Sequence, residues 1–303
     1  MTDRLICAVD ATPKSAGVVC AATAIGRALG LRTVLVHVAE PARDGSDSGR
    51  APAAAELERS LAGLPLPPDA VRRIEVGDPA ELIIAAAHDE RAALIVTGTR
   101  ATGPRAKALF GSVAARVVEL APTPIVIVPP GRSESAAARD IPSAREVIIA
   151  VDGSRESHAV TAFVGGLARR ARAALVLAHV VPPAASAAAP PVGIVPPLTE
   201  PNRTDVWRVL DRARRQVPDP DAVELELRHG IPARELEELA RERGADLIAL
   251  GTSRPGRLRR ALVGSLGDEL AASSRRLLMV VPHDVARHAV ARDAELQAAN
   301  ARG

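Results

Sequence analysis

Short apolar runs alternate along this chain with stretches of helical period. Runs at 5–9, 33–38, 94–97 and 125–128 are each bounded by turn residues, and a second set follows at 147–151, 175–180, 247–250 and 277–281. Continuous hydrophobicity over so short a span suits strands buried on both faces of a parallel sheet. Residues 223–227 (VELEL) alternate instead, the pattern of a half-buried edge strand. Between the runs, Val18, Ala21, Ala22, Ile25 and Leu29 recur at helical spacing, as do Val160, Phe163, Val164, Leu167 and Ala171. Residues 232–239 (PARELEEL) predict a helix with proline in its first turn, where the missing N–H costs nothing. Strands that alternate with helices make βαβ units with right-handed crossovers. The expectation is an α/β protein of two tandem domains, each a doubly wound five-stranded parallel sheet.

The tandem reading rests on internal repetition. LICAVD at 5–10 returns as VIIAVD at 147–152, and TVLVHV at 33–38 returns as LVLAHV at 175–180. Further on, GDPA at 77–80 matches GIPA at 230–233, LIVTGT at 94–99 matches LIALGT at 247–252, and GSV at 111–113 matches GSL at 264–266. Asp10 and Asp152 lie 142 residues apart, as do His37 and His179; Gly77 and Gly230, Gly98 and Gly251, and Ser112 and Ser265 lie 153 apart. The second half therefore carries eleven extra residues between its second and third strands, in Pro/Ala-rich sequence at 182–201. The expected boundaries are a first domain over 1–130, a linker over 131–144, a second domain over 145–282 and a polar tail over 283–303.

Composition removes several function classes. The chain has two Phe, one Trp and no Tyr among 303 residues, so its cores are built from aliphatic side chains. A formal charge of +3 is a small excess, and the stacking platforms that single-strand binders need are missing, so no nucleic-acid partner is expected. Cys7 and Cys20 fall in an apolar strand and on an apolar helix face and read as core residues. With no signal sequence and no apolar run near the roughly 20 residues that span a bilayer, the expectation is a cytoplasmic protein without a membrane partner.

In open α/β sheets, ligands bind outside the carboxyl ends of the strands at the topological switch point, and the matched polar residues fall there. Asp10 and Asp152 end the first strand of each half. Gly98 and Gly251 end the fourth and open a loop that closes at Gly111-Ser112 and Gly264-Ser265, where the next helix begins. Glycines that admit backbone N–H groups, a helix N-terminus and a hydroxyl together make a phosphate cradle. These residues resemble the universal stress protein family, whose ATP-binding members carry Gly, two residues, Gly, nine residues, Gly, then Ser or Thr. The resemblance covers nearly all of both halves. It implies a Rossmann-like fold of the adenine nucleotide alpha hydrolase kind, a role in stress response, and ATP as cofactor, with or without Mg2+. By this similarity Asp10 and Asp152 meet the adenine and ribose side, and Val38 and Val180 offer backbone groups to the adenine. The phosphates fall to Gly98, Gly111, Ser112 and Val113 in one half and Gly251, Gly264, Ser265 and Leu266 in the other. The family's second glycine is replaced by Ala101 and Arg254, while Gly103 and Gly256 stand two residues further on; the favoured expectation is a turn re-registered onto these glycines, the alternative a strained turn at Ala101 and Arg254 that weakens ATP binding. The family also implies that the last strands, 124–128 and 277–281, pair with each other or with a second copy to make a homodimer.

Structural readings stand beside these. Asp10 and Asp152 suit caps of the following helix, and Ser112 and Ser265 suit N-caps. His37 and His179 read as hydrogen-bonded core histidines. Arg257, Arg259 and Arg260 read as a solvated helix face. No nucleophile–base pair, paired carboxylates or metal-ligand spacing appears, and Ser157 and His158, adjacent on a helix, point apart; no enzyme is expected. A nucleotide-free interaction module of the same fold and a slow ATPase are the alternatives.

Overall fold

The computed structural model describes residues 3–12, 15–39, 41, 49–99, 112–129, 145–183, 203–252, 264–282 and 285. The first half runs β1 (Arg4–Val9), α1 (Ala16–Leu29), β2 (Arg32–Ala39), α2 (Arg50–Leu61), β3 (Val71–Val76), α3 (Pro79–Asp89), β4 (Leu94–Gly98), α4 (Ser112–Leu120) and β5 (Ile125–Val128). The second repeats the order as β6 (Glu146–Ala150), α5 (Arg155–Ala171), β7 (Ala174–Val181), α6 (Arg203–Arg214), β8 (Val223–His229), α7 (Pro232–Arg243), β9 (Leu247–Gly251), α8 (Gly264–Ser273) and β10 (Leu277–Val281).

All ten strands form one sheet, in the order β3-β2-β1-β4-β5-β10-β9-β6-β7-β8. Pairing is parallel within each half and antiparallel at the seam, where Val126 faces Met279 and Ile127 faces Leu278. The two apolar last strands thus cover each other inside one chain, which removes the edges that would otherwise invite a second molecule. The outer edges are β3 and β8, both rich in Arg and Glu.

Successive strand residues point to opposite faces. Leu5, Cys7 and Val9 pack in one core beneath α1, α2, α5 and α6, while Ile6 and Ala8 pack in the other beneath α3, α4, α7 and α8. Both cores cross the seam, so the halves share their interior. Every α1 position singled out by period is buried, and Val160 and Val164 of α5 are buried too. Cys7 and Cys20 are buried and form no disulfide, and burial pushes the Cys7 thiol far up, so it is chemically quiet. The strand β3 (VRRIEV) escaped the sequence reading because its side chains are exposed or half-buried. The stretch 184–202, most of the Pro/Ala-rich insert, lies outside the described residues, as do the linker and nearly all of the tail.

Candidate functional site

At the carboxyl end of β6 the chain turns into α5 on one face of the sheet, and at the end of β9 it leaves toward α8 on the other. A crevice opens between such neighbours. Here it is a cleft of about 260 Å³ whose lining includes Asp152, Ser154 and Ser157, His179 and Val180, Leu236, Gly251 and Leu266. Four residues from the sequence reading of the second half (Asp152, Val180, Gly251 and Leu266) are thereby brought together. The helices α5, α7 and α8 all begin around it, through Ser154, Pro232 and Leu266.

Asp152 follows β6 and is exposed, and its Oδ1 accepts from the Ser154 backbone N–H at 2.9 Å and the Ser154 hydroxyl at 2.6 Å. Burial of part of the carboxyl works to raise its pKa, but these bonds and one from Ser157 outweigh it and hold the group below the usual carboxylate value. Ser154, not Asp152, caps α5: its hydroxyl oxygen accepts from the Ser157 N–H at 3.1 Å. The aspartate therefore orients the cap instead of being one. Between them Gly153 takes φ +82°, and Val209 of α6 packs on it so closely that a Cβ would meet its methyls at 3.2 Å.

The first half builds the same corner more tightly. Asp10 is half-buried, and its Oδ1 accepts from the Thr12 N–H at 3.1 Å, the Thr12 hydroxyl at 2.7 Å and the Ser15 hydroxyl at 2.5 Å. Ser15 in turn accepts from the Asp10 N–H at 3.0 Å. Ala11 stands where the second half has Gly153 and takes a left-handed φ of +56°. Where Ala178 lines the cleft, the first half has the larger Val36.

His37 is a hydrogen-bonded core histidine, whereas His179 makes the same bond from a half-buried position in the lining of the cleft. Their Nδ1 atoms contact the Val9 and Val151 carbonyls at 3.0 and 2.6 Å; a carbonyl only accepts, so both rings carry the proton on Nδ1. His158 lies elsewhere: its Nε2 is buried without a partner, and burial together with the charge of Arg212 lowers its pKa.

Gly98 and Gly251 have a packing reason to be glycine. A Cβ on Gly98 would lie 2.9 Å from Val18 Cγ2, and one on Gly251 would lie 2.7 Å from Val160 Cγ2. The following N–H groups, of Thr99 and Thr252, are bonded to the Val128 and Val281 carbonyls. Ser112 opens α4 and Ser265 is the second residue of α8, and the residues that precede each helix lie outside the described residues. Ser112 is exposed, and Val38 and Val113 are half-buried. Val38 and Val180 hold register with Glu75 and Arg228 in the ladder, yet β6 ends at Ala150 opposite Ala178, which leaves the β6 side of Val180 facing the cleft. Ala101, Gly103, Gly111, Arg254, Gly256, Arg257, Arg259 and Arg260 lie outside the described residues. Among the described residues no group of three or more His, Cys, Asp or Glu side chains could hold a metal ion, and no helix is long and apolar enough to cross a membrane.

The hydroxyl pair Ser154 and Ser157, with Thr12 and Ser15 opposite them in the repeat, went unnoticed in the sequence although the 142-residue offset aligns them. The cleft can accept from ligand hydroxyls at the Asp152 carboxylate and seat a flat ring on Val180, Leu236, Leu250 and Leu266. Three helix N-termini favour negative charge beside it. That donor set suits a nucleoside with an anionic substituent.

The model of the universal stress protein family matches residues 1–129 and 144–282. The chain belongs to that family. A curated relative from Thermus aquaticus, the universal stress protein in the QAH/OAS sulfhydrylase 3′ region, is 33% identical over 139 residues, which is 42% of this chain and 99% of that protein. A universal stress protein of Archaeoglobus fulgidus superposes with a TM-score of 0.63 at 17% identity, over 93% of this chain and 97% of the other. A Pseudomonas aeruginosa protein of unknown function superposes with a TM-score of 0.59 at 15% identity, over 97% and 98% of the two chains. At such identities both likenesses speak for the fold alone. This universal stress protein thus shares its two-half architecture with solved chains of nearly its own length.

Proposed function

We propose that this universal stress protein binds an adenine nucleotide, ATP first among them, in the cleft of its second half, and that the bound state is its regulatory signal in stress response. The carrying observation is the convergence of Asp152, Val180, Gly251 and Leu266 on one cleft at three helix N-termini. The first half takes the role of a structural partner: Asp10 already accepts three protein donors, and Val36 narrows the corresponding corner. The protein's role is binding and not turnover: in the cleft the hydroxyl that donates to Asp152, that of Ser154, is held at the cap of α5, and His179 donates its Nδ1 proton to Val151.

Isothermal titration of ATP, ADP and AMP tests the reading, with one site per chain expected. Trp207, the chain's one tryptophan, lies on α6 two residues from Val209, the residue packed on Gly153, and gives an optical readout of the same event. Asp152→Ala removes a charged acceptor whose hydrogen bond is worth about 1.5–3 kcal/mol, a roughly 10- to 150-fold loss of affinity. Asp10→Ala leaves affinity unchanged. Folded protein that takes up none of the three nucleotides refutes the proposal and leaves the nucleotide-free module; two sites per chain refute the assignment to one half.

A further inference from the structure

Each half clamps its third helix to its strands with a small lattice of ion pairs. In the first half, Arg4 of β1 pairs with Glu90, just past α3, and Arg73 of β3 reaches Glu75 at 2.6 Å, Asp89 at 2.8 Å and Glu90 at 4.0 Å. In the second, Glu146 of β6 pairs with Arg243 of α7 at 2.5 Å, Arg243 reaches Glu224 at 2.8 Å and Glu226 at 3.5 Å, and Arg228 reaches Glu226 at 3.7 Å and Glu242 at 2.6 Å.

The repeat offsets superimpose these lattices position by position. Glu146 stands at the place of Arg4, Glu226 at that of Arg73, Arg228 at that of Glu75 and Arg243 at that of Glu90. All four positions are inverted in sign, and the bridges between them survive with donor and acceptor exchanged. One change alone, such as Glu at position 4, would face Glu90 with a like charge. The inversion is therefore a property of the set.

We propose that this opposite polarity is a pairing code that keeps the β3–α3–β4 segment beside β1 and the β8–α7–β9 segment beside β6. The halves have near-identical topology and are tethered at an effective concentration of about millimolar, so exchange of the β3–α3–β4 segment for the β8–α7–β9 segment, through the longer connections around α2 and α6, is the natural misassembly. The exchange would set Arg243 against Arg4 of β1 and Glu90 against Glu146 of β6, while the other pairs move with their own segment. The eight side chains are 18–38% exposed, so solvent screens these repulsions incompletely. Specificity by penalising the wrong partner needs no gain in native stability.

The test gives the second half the polarity of the first through Glu146→Arg, Glu226→Arg, Arg228→Glu and Arg243→Glu, with Glu224→Gln to remove the acid left beside position 243. The native pairs are rebuilt within that half, so the thermal midpoint holds within about 2–4 °C. The yield of monomeric native protein after dilution from urea, read by size exclusion, falls at least about twofold as mispaired species form. A second variant adds Arg4→Glu, Arg73→Glu, Glu75→Arg and Glu90→Arg, so that the halves are again opposite with both signs reversed, and its yield returns to that of the wild type. Equal yields for the wild type and the singly inverted chain overturn the proposal. So does a doubly inverted chain that refolds as poorly as the singly inverted one. If the singly inverted chain fails to fold at all, recovery in the doubly inverted chain still decides in favour.

Discussion

Gly251→Ala is the sharpest probe of how the site is built. The added Cβ would sit 2.7 Å from Val160 Cγ2, whereas ordinary van der Waals contact begins near 3.4 Å. One side must yield by about 0.7 Å in an interior packed as densely as a crystal. Val160 is 1% exposed, and on a helix its branched side chain holds essentially one rotamer, so relief must come from shifting α5 against β9. Overpacking of this kind costs about 1–3 kcal/mol, offset by roughly 0.5–1 kcal/mol for removing a glycine from a strand. The expected net loss is about 1–2 kcal/mol in urea unfolding, with the denaturant slope unchanged. Gly98→Ala, whose Cβ would meet Val18 at 2.9 Å, loses less. The decisive measurement is the cycle with Val160→Ala. That change alone costs about 2–3 kcal/mol in lost burial and cavity. In the double variant the new methyl enters the vacated space, so the two losses fail to add by about 1–2 kcal/mol. Additive losses, or a stable Gly251→Ala protein with weakened nucleotide binding, would refute the packing argument and return this glycine to the ligand.

Two further outcomes follow from single residues. Arg172 closes α5 at φ +55°, where the first half uses Gly30 at +63°; Arg172→Gly relieves about 1–2 kcal/mol of left-handed strain against roughly 0.5–1 kcal/mol of glycine entropy and raises the thermal midpoint by about 2 °C, and a lowered midpoint would refute it. Asp152 and Asp268 carry opposite pH signatures. Hydrogen bonds lower the Asp152 pKa, so it contributes stability above about pH 4 that is lost as pH falls through its folded value, whereas burial raises that of Asp268, so its ionised form destabilises at neutral pH and the penalty disappears as pH falls below about 4. Asp268→Ala, which copies Ala115 of the first half, therefore stabilises at pH 7 and is neutral at pH 3 in urea melts; an equal gain at both pH values would rule out a titrating penalty.

The sequence disclosed most where burial is two-sided. Strands such as 94–97 and 277–281 announce themselves because both faces exclude polar residues, and their shared seam follows once two such edges need cover. β3 did not announce itself, since Arg72, Arg73 and Glu75 face solvent or one another. Aligning it with 223–229 at the 153-residue offset would have recovered it. At the site, Asp152 and Gly251 were legible as residues at strand ends, but their local roles were not. That Asp152 holds the cap Ser154, and that Gly251 yields to Val160, depends on how α5 lies across the sheet, which no period records. The difference between Asp10, tied to Thr12 and Ser15, and the more open Asp152 is likewise a matter of exposure.

Comparing the halves shows which constraints permit exchange. Gly98 with Val18 and Gly251 with Val160 are retained as the same pair, because a helix lying under 3 Å from a would-be Cβ has one inexpensive solution on the strand side. The left-handed positions are looser: Ala11 answers to Gly153, and Arg172 to Gly30, so each half tolerates strain where the other avoids it. A cost of about 1–2 kcal/mol per such residue is small enough for a shared ten-stranded sheet to carry. Charge is looser still, for an ion pair has two equivalent solutions and a lattice can invert as a set. Steric contacts therefore record what the duplicated fold requires. The freedom of the electrostatic ones is what lets two copies of one topology become distinguishable to each other.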